Sequence, residues 1–428
     1  MRSRLIDAWR RIFRAARSSR NFRLFLTGQF VSAIGTWMTF TATSWLVLTL
    51  THSGAALGIN SALAFGPVLI LGPWGGVLAD RFDKRRILTA TQTTAAVISL
   101  ALAAIVFTDV VTIWMVFALS LASGIVLSLD NPSRQSFYAE MVGEEKLTNA
   151  VSLNSAAFTG ARIIGPAIAG VLIATVGMAV CFLLDGISYA AVVAALLAMR
   201  PNELHAQQRT SRERGHLVAG IRYVWETDEL RRPLLVMAVV FTFVFQWQVL
   251  VPLLAERTFG AGPGEFGILS AAAGIGSFVG AITAANRSAS PTMRRLALSL
   301  AAVGVAMGLI AFAPTLAVAL VLMVPVGFSA MTFMITGNTM LQLGSKPQAR
   351  GRVMALYGAV FLGSTPIGAP LVGVIAGHLG ARVAYLACGL VAIAVAAVVL
   401  WGRTRARPTV RSVKESVPAF EAPEAAPV

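Results

Sequence analysis

Residues 75–86 read GGVLADRFDKRR and join two long apolar runs, at about 55–79 and 86–108. Each run has the roughly 20 residues that a helix needs to cross the core of a bilayer. Ten further runs of this kind lie outward along the chain, near 24–50, 111–129, 148–176, 178–199, 233–256, 265–287, 294–313, 315–340, 352–379 and 381–402. The sequence therefore predicts an all-α membrane protein with twelve transmembrane helices, numbered here as spans 1 to 12.

The composition supports this prediction. Of the 428 residues, 56% are hydrophobic and only 13% are charged, whereas a soluble domain has about 25% charged residues. This excludes an ordinary soluble enzyme and a disordered protein, and the two cysteines are too few for a disulfide scaffold. The sequence has no P-loop, no catalytic serine elbow and no cluster of its four histidines. We therefore expect no enzyme activity, no cofactor and no metal.

The positive charges predict the topology. The net charge is +16, and all but three of the 35 Lys and Arg fall on one side if the N-terminus is cytoplasmic. The exceptions are Arg162, Arg257 and Arg382. This is the positive-inside pattern, so we expect a multi-pass protein of the cytoplasmic (inner) membrane with both termini in the cytoplasm. Basic loops beside anionic lipid explain the charge without nucleic acid.

The predicted organisation has five parts. They are a basic cytoplasmic segment at 1–23, a six-helix bundle at 24–199, a cytoplasmic linker at 200–232, a second six-helix bundle at 233–402 and a disordered cytoplasmic tail at 403–428.

The two bundles resemble each other in sequence. Residues 164–182 read IGPAIAGVLIATVGMAVCF, and residues 367–385 read IGAPLVGVIAGHLGARVAY. Three glycines recur at one offset, with Gly165, Gly170 and Gly177 matching Gly368, Gly373 and Gly380. Because six spans separate the copies, the repeat is parallel and predicts two pseudo-symmetric bundles. Such repeats suit a transporter with a substrate site between rocking halves, although a channel or a membrane enzyme can also be duplicated.

The turn between spans 2 and 3 combines a small residue with charges. Gly76 permits two helices to approach closely, and Asp80 can hold the positive N-terminal end of a neighbouring helix. Arg81 and Arg85 can pair with that carboxylate or with a second acid. The alternative is a basic loop that only sets the topology.

These four residues resemble the signature loop of the major facilitator superfamily, G-x-x-x-D-R-x-x-x-R, with Asp83 where many members have glycine. The resemblance implies that Asp80 lies against the start of span 11, near Gly351. It also implies that Arg81 or Arg85 pairs with Asp130. This cytoplasmic latch would close that side in the outward-open state, and its residues would be Gly76, Asp80, Arg81, Arg85, Asp130 and Arg134. A local pair between Asp130 and Arg134 is the alternative.

Span 5 contains a second signature at Gly165, Pro166 and Gly170, with Ala169 before the last glycine. It resembles the G-P-x-x-G-G motif of the superfamily's exporters. With the 130–135 and 149–155 stretches, it makes the chain similar to the drug:proton antiporter branch of enterobactin exporters and macrolide- and tetracycline-efflux proteins. That resemblance implies antiport rather than uptake. Close packing of a proline-kinked helix is the alternative.

Two ionisable residues lie well within predicted spans. Asp185 of span 6 is about 10 Å from the outer end, and Arg162 of span 5 is about 20 Å from it. An isolated charge at this depth costs at least ~2.5–3.5 kcal/mol, so such groups usually face a cavity or each other. Asp185 is a candidate proton carrier, and Arg162 is a candidate modulator of it or a substrate contact. The alternative is a structural ion pair.

The resemblance also implies a central cavity lined by spans 1, 4, 7 and 10. The candidate substrate contacts are Gln29, Thr36, Trp37, Gln246, Gln248, Thr332 and Asn338. Hydrogen bonds between helices and anchoring at the membrane interface are alternative roles for these side chains.

Together, these features predict a monomeric secondary active transporter that exports hydrophobic small molecules by proton antiport and alternating access. Its partners would be the substrate, protons and the lipid bilayer. A dedicated siderophore or metabolite exporter is the first alternative. An importer or facilitator and a non-transporting receptor or scaffold are the others.

Overall fold

The computed structural model describes residues 14–205, 216–285 and 291–405. Across these ranges the chain is helical without strands, and twelve helices are long and apolar enough to cross a membrane. The predicted fold class is confirmed. The predicted segment 1–23 is described only from Arg14 onward, and the predicted tail 403–428 only as far as Arg405.

The first half contains spans 1 to 6. Their helices are Arg20–Thr51, Gly54–Arg81, Lys84–Phe107, Ile113–Val142, Glu144–Thr175 and Met178–Leu197. A short helix at Arg14–Ser18 precedes them.

The second half contains spans 7 to 12. Span 7 is broken into Asp228–Phe243 and Trp247–Leu253 and ends in a π-helical turn at Leu254–Thr258. Span 11 consists of Pro347–Gly363 followed directly by Thr365–Leu379. Spans 8, 9, 10 and 12 are Pro263–Ala285, Met293–Ala311, Leu316–Gly344 and Ala381–Arg405. The predicted linker contains a helix at His216–Glu226.

Span 4 is longer than the apolar run predicts. Its helix continues from residue 129 to Val142, so Asp130 and Arg134 lie within a helix and not in a loop. Pro132 lies inside this helix without ending it. The helix ends at Gly143, which has a φ of 75° that favours glycine. An apolar run therefore marks the part of a helix that lies in lipid, not the whole helix.

The two halves repeat in space as they do in sequence. An added Cβ at Gly165 would lie 2.8 Å from the carbonyl oxygen of Ile34 in span 1. At the matching Gly368, an added Cβ would meet the carbonyl of Thr242 in span 7. Each glycine thus allows the fifth helix of its half to lie directly against the first. Pseudo-symmetric bundles are confirmed.

Spans 2 and 11 and spans 5 and 8 make most of the contacts between the halves. We call the end with the turn at 82–83 the basic end and the end with the turn at 52–53 the opposite end. Near the opposite end the halves touch backbone to backbone, as Gly54 meets Gly373 and Gly170 meets Gly267.

Toward the basic end the same spans have space around them. A Cβ added at Gly72 of span 2, or at Gly351 or Gly358 of span 11, would meet nothing within 4 Å. The halves are therefore closed at the opposite end and separate toward the basic end.

Candidate proton and substrate sites

Asp185 lies at the centre of the first half, between spans 1, 3 and 6. Its side chain is buried, and its residue is only 1% exposed. The hydroxyls of Thr39 and Ser99 each donate to Oδ2 at 2.8 Å, and the hydroxyl of Ser188 lies 3.4 Å from Oδ1. No cationic side chain in the described ranges lies within 4 Å of the carboxylate. Only hydroxyl groups or a proton can offset its charge there.

Gly35 of span 1 makes this packing possible. A Cβ at Gly35 would lie 2.5 Å from Oδ1 of Asp185 and 2.6 Å from the hydroxyl oxygen of Ser188. Span 1 can therefore approach span 6 closely enough for Thr39 to reach the carboxylate. The sequence pattern alone does not predict a role for Gly35, Thr39 or Ser99.

Arg162 points to the other half instead of to Asp185. Its Nη2 donates to the hydroxyl oxygen of Ser277 in span 8 at 3.2 Å. Its guanidinium carbon lies 5.9 Å from the centre of the Trp37 ring, a cation–π distance. No described carboxylate lies within ion-pair distance of Arg162. Arg162 and Asp185 do not form the direct ion pair that was the alternative, because the two side chains face different neighbouring spans.

The exposure of residues along one face of span 5 shows where the halves separate. Ser155, Phe158, Arg162, Ala169 and Ile173 follow this face at helical spacing. The first two are exposed, Arg162 is partly exposed, and the last two are buried. Contacts to span 1 and to span 8 lie on either side of it, while the reverse face carries exposed apolar residues suited to lipid: Ile164, Ile168 and Val171. Arg162 therefore lies at the closed inner end of a space that widens toward the basic end.

Aromatic rings surround the approach to Arg162. Phe158 and Phe40 each lie 5.7 Å from the Trp37 ring in edge-on geometry, and Phe65 lies 5.8 Å from Phe40. Phe158 is 45% exposed. The Nε1 of Trp37 is buried and has no hydrogen-bond acceptor within the described part of the chain. The site thus offers rings, a cation and a free donor.

The other predicted cavity residues of the first half have mixed surroundings. Thr36 bonds to the backbone of Ser32 and lies 3.2 Å from the hydroxyl of Tyr189. Gln29 is buried, with a side-chain oxygen that has no described partner. Of the first-half candidates, the structure brings Trp37 and Arg162 together.

Two of the candidates in the second half form hydrogen bonds to backbone carbonyls. The amide of Gln246 donates to the carbonyls of Phe241 and Thr242, which the break in span 7 leaves without helical donors. Thr332 donates to its own helix at Phe328. Gln246 and Thr332 are buried and are not directed at an open space in this structure. Their interhelical or local bonding was the alternative role.

The remaining two candidates differ from these. Gln248 is partly exposed. Asn338 accepts a hydrogen bond from Gln342 at 2.5 Å and bonds to the hydroxyl of Tyr357 in span 11. This places Asn338 in a polar group between spans 10 and 11.

The predicted pairing of Asp130 with Arg81 or Arg85 is absent from this structure. Asp130 instead bonds to Arg134 on its own helix and accepts hydrogen bonds of 2.8 Å from Thr91 and Gln92 of span 3. The reason is geometric, because Arg134 is one turn away on the same helix. The local pair given as the alternative is the one present.

The signature loop has other partners. The guanidinium of Arg85 donates to the carbonyls of Leu196 and Leu197 at the end of span 6, and Arg81 is exposed. Lys84 forms an ion pair of 2.5 Å with Glu140 of span 4. Asp83 caps span 3 by accepting from the backbone of Arg86 at 2.9 Å, which accounts for an acid at this position.

A Cβ added at Gly75, the residue before the predicted Gly76, would meet the carbonyl oxygen of Ser128 in span 4. The side chain of Asp80 lies outside the described part of the structure, although its backbone forms the last turn of span 2. Its predicted contact with Gly351 stays a prediction.

The opposite end is closed by a cluster that joins the halves. His52, after span 1, lies 3.1 Å from Oε1 of Glu256. The guanidinium of Arg257 bonds to the carbonyl of His52 and, at 2.9 Å, to that of Gly377 in span 11. Arg257 is one of the three exceptions to the positive-inside pattern of the sequence. Its position outside that pattern was the signal that could have found this cluster.

Twelve spans in two repeated bundles, with a partly exposed cation between them, are typical of secondary transporters. The profile of the transmembrane secretion effector family matches residues 15–427. The chain belongs to this family of the major facilitator superfamily, whose members are transporters and not enzymes.

Similar proteins include three bacterial transporters. The multidrug efflux pump Tap of Mycolicibacterium fortuitum is 30% identical over 86% of this chain and 92% of that protein. The enterobactin exporter EntS of Shigella boydii serotype 18 is 26% identical over 82% and 84%. The staphyloferrin A transporter of Staphylococcus aureus is 27% identical, and the match spans 60% of this chain and 65% of that protein.

Solved structures share the fold. A bacterial homologue of the human lysosomal transporter Spinster, in an inward-facing and occupied conformation, has a TM-score of 0.70 at 13% identity. The match covers 90% of this chain and 96% of that one. A POT family transporter in complex with a thioalcohol-conjugated peptide has a TM-score of 0.72 at 12% identity, covering 90% and 96%.

Proposed function

We propose that this transporter exports a hydrophobic small molecule across the cytoplasmic membrane in exchange for protons, with Asp185 as the proton carrier. The observation that carries the proposal is the isolation of Asp185 from every described cation. A carboxylate that sits in a membrane bundle without a cation is costly when ionised. Binding a proton removes that cost, and losing it restores the charge, so each exchange changes the forces between spans 1, 3 and 6.

The basic end faces the cytoplasm in this proposal, with both termini on that side. Support comes from the concentration of Lys and Arg there. The space between the halves then opens to the cytoplasm, where an exporter collects its substrate. Closure of the opposite end by Arg257 and Glu256 separates that space from the outside.

The cytoplasmic latch is part of the same cycle. Gly76, Asp80, Arg81, Arg85, Asp130 and Arg134 are proposed to draw the basic ends together when the protein opens outward. The present separation of spans 2 and 11 near Gly351 fits a latch that is not engaged. The span 5 motif at Gly165, Pro166 and Gly170 is proposed to keep the antiporter's halves in close contact, because it packs against spans 1 and 8. The working unit is proposed to be the monomer.

A second candidate is export of one dedicated cell product by the same mechanism. It is favoured by the names of two relatives, which carry enterobactin and staphyloferrin A. The multidrug name of Tap favours a broad substrate range. The two candidates differ only in how many compounds compete for transport.

The test is dye efflux from cells that express the wild type, Asp185→Asn or Asp109→Asn, with and without a protonophore. Asp109 is a matched control because it is exposed in a turn with a φ of 56°, which asparagine also adopts. If antiport proceeds through Asp185, the protonophore should abolish efflux by the wild type. At equal expression, Asp185→Asn should also abolish efflux, whereas Asp109→Asn should leave it intact. Efflux that survives Asp185→Asn but not the protonophore would move the proton site elsewhere. Efflux that survives both would refute proton antiport.

A further inference from the structure

Arg162 is a cation between the two halves, and no carboxylate of the described residues lies within ion-pair distance of it. Its one hydrogen bond goes to a neutral hydroxyl, that of Ser277, which itself donates to the carbonyls of Ala273 and Gly327. Guanidinium groups carry five N–H donors, so most of those of Arg162 are available. A buried or half-buried cation of this kind normally has a counter-charge. The described residues do not provide one for Arg162.

A second donor next to Arg162 is also free. The indole N–H of Trp37 is buried and has no acceptor among the described residues, while the ring of the same residue lies under the guanidinium. Buried polar groups are bonded in the great majority of cases, and each exception calls for an explanation. Two donor groups at one place with unused hydrogen-bonding capacity are explained by a ligand that supplies acceptors.

The acidic groups inside the spans, which would attract a cationic ligand, are buried and bonded to other residues of the first half. Among the described residues away from the ends of the spans, the acids are Asp130 and Asp185. Asp130 is bonded to Arg134, Thr91 and Gln92, and Asp185 is bonded to hydroxyls inside the first half. Both are at most 2% exposed. Neither of these two acids therefore offsets the charge of Arg162.

The walls near this charge are aromatic. Phe158 is exposed on the same face of span 5, one helical turn toward the basic end, and it packs against Trp37. A ligand that places a negative group at Arg162 would bring its body against Phe158 and Phe40. This combination selects molecules with an apolar or aromatic body and one anionic end.

We propose that Arg162 and Trp37 form the binding site for the anionic oxygen group of an amphipathic substrate, so that the exported compound is a lipophilic anion. Carboxylate, phenolate and sulfonate share the required chemistry, since each offers oxygen acceptors to the guanidinium and the indole N–H. This inference rests on the proposed function as a transporter, but it does not depend on proton coupling. The anion would also bridge the halves, because Arg162 is held to span 8 through Ser277.

The experiment measures equilibrium binding to the purified full chain in detergent, without any pH gradient. Three probes share one aromatic body: 1-pyrenebutyrate, its methyl ester, and the cationic pyrenylmethylammonium. Each is titrated against the wild type, Arg162→Gln, Arg162→Lys, Trp37→Phe and Arg222→Gln. Arg222 is a matched control because it is exposed and pairs with Glu226 on the helix between the halves.

We expect the carboxylate to bind the wild type about tenfold or more tightly than the ester or the ammonium, since a hydrogen bond to a charged group is worth that much. Arg162→Gln should remove this preference, and Arg162→Lys should retain part of it because the charge remains. Trp37→Phe keeps an aromatic ring but removes the indole N–H together with part of the ring surface, so it should weaken carboxylate binding several-fold more than it weakens ester binding. Arg222→Gln should bind as the wild type does.

Equal binding of the three probes by the wild type would overturn the inference, as would tighter binding of the ammonium. Binding of none of them by a wild type that shows cooperative thermal unfolding would also overturn it. A preference for the carboxylate that persists in a folded Arg162→Gln protein would place the anion site elsewhere and refute the assignment. Because no proton gradient is present, a failure of proton antiport leaves these readings unchanged, and a failure here leaves the efflux test of Asp185 unchanged.

Discussion

Arg162 and Asp185 do not contact each other, yet both contact one turn of span 1. The Trp37 ring lies under the guanidinium of Arg162, and the Thr39 hydroxyl donates to the carboxylate of Asp185 at 2.8 Å. Residues two apart on a helix face different directions, so this turn touches the space between the halves on one side and span 6 on the other. A shift of span 1 would change both environments together. This gives the proposed proton and substrate sites a physical connection.

The hydrogen bond from Thr39 should matter for coupling. Thr39→Val keeps the shape of the side chain and removes a bond to a charged acceptor, which is worth about 1.5–3 kcal/mol. We expect protonophore-sensitive efflux to fall about tenfold, while binding of the pyrene probes at Arg162 is retained. Thr41→Val is the control, since Thr41 is buried on the same helix but bonds only to the carbonyl of Trp37. Equal efflux in both variants would contradict the connection.

The Asp130–Arg134 pair should contribute strongly to stability. Both groups are largely buried, so Asp130→Asn leaves the charge of Arg134 without its partner. Breaking a buried pair in this way costs about 3–5 kcal/mol. Thermal unfolding in detergent should show a clear loss, whereas Glu203→Gln should cost at most about 1 kcal/mol because its pair with Arg200 is exposed at 41% and 64%. Similar losses in the two variants would show that Asp130 is not a structural anchor.

The sequence predicted the number of spans, the repeat and the family, because these depend on long apolar runs and on glycine spacing. It also selected Arg162, Asp185 and Trp37, because charges in apolar runs are conspicuous. It did not predict which groups meet between helices. Arg85 bonds to the end of span 6, and Asp130 bonds to Thr91 and Gln92 of span 3, since such contacts depend on tilt and rotation of the helices, which periodicity does not set.

The sequence also did not predict which small polar residues contact Asp185. Thr39 and Ser99 hold Asp185, but threonine and serine are common in membrane helices and most of them bond to their own backbone, as Thr41 does. Nothing in the sequence distinguishes the two kinds. The partner appears only when span 1 is placed against span 6.

Arg257 should hold the opposite end closed. Its guanidinium joins the turn after span 1 to span 11, so Arg257→Gln removes bonds between the halves. Hydrogen–deuterium exchange should become faster in the backbone near residues 52–58 and 373–379. Arg382→Gln is a matched control at the same end, because Arg382 bonds to Ala313 within the second half. The closing role of Arg257 is refuted if exchange in these segments is the same in both variants.

The glycine contact between spans 5 and 8 should control the equilibrium between two states of the protein. One is the state described here, which is open at the basic end, and the other is open at the opposite end. A Cβ at Gly267 would lie 2.5 Å from the Cα of Gly170, and neither backbone can move without separating the halves. Gly267→Ala should therefore disfavour the state described here by about 1–3 kcal/mol, the usual cost of overpacking. The protein should shift toward the state that is open at the opposite end.

A thiol at position 155 can report this shift. Ser155 is exposed on the face of span 5 that leads to Arg162, and the natural Cys181 and Cys388 are buried. In a Ser155→Cys protein, the rate of labelling by a water-soluble maleimide should fall several-fold when Gly267→Ala is added, because a shift of about 1 kcal/mol changes populations about fivefold. Gly308→Ala is the control, since a Cβ there meets nothing within 4 Å. Unchanged labelling in Gly267→Ala would mean that the contact packs the helices without governing which end is open.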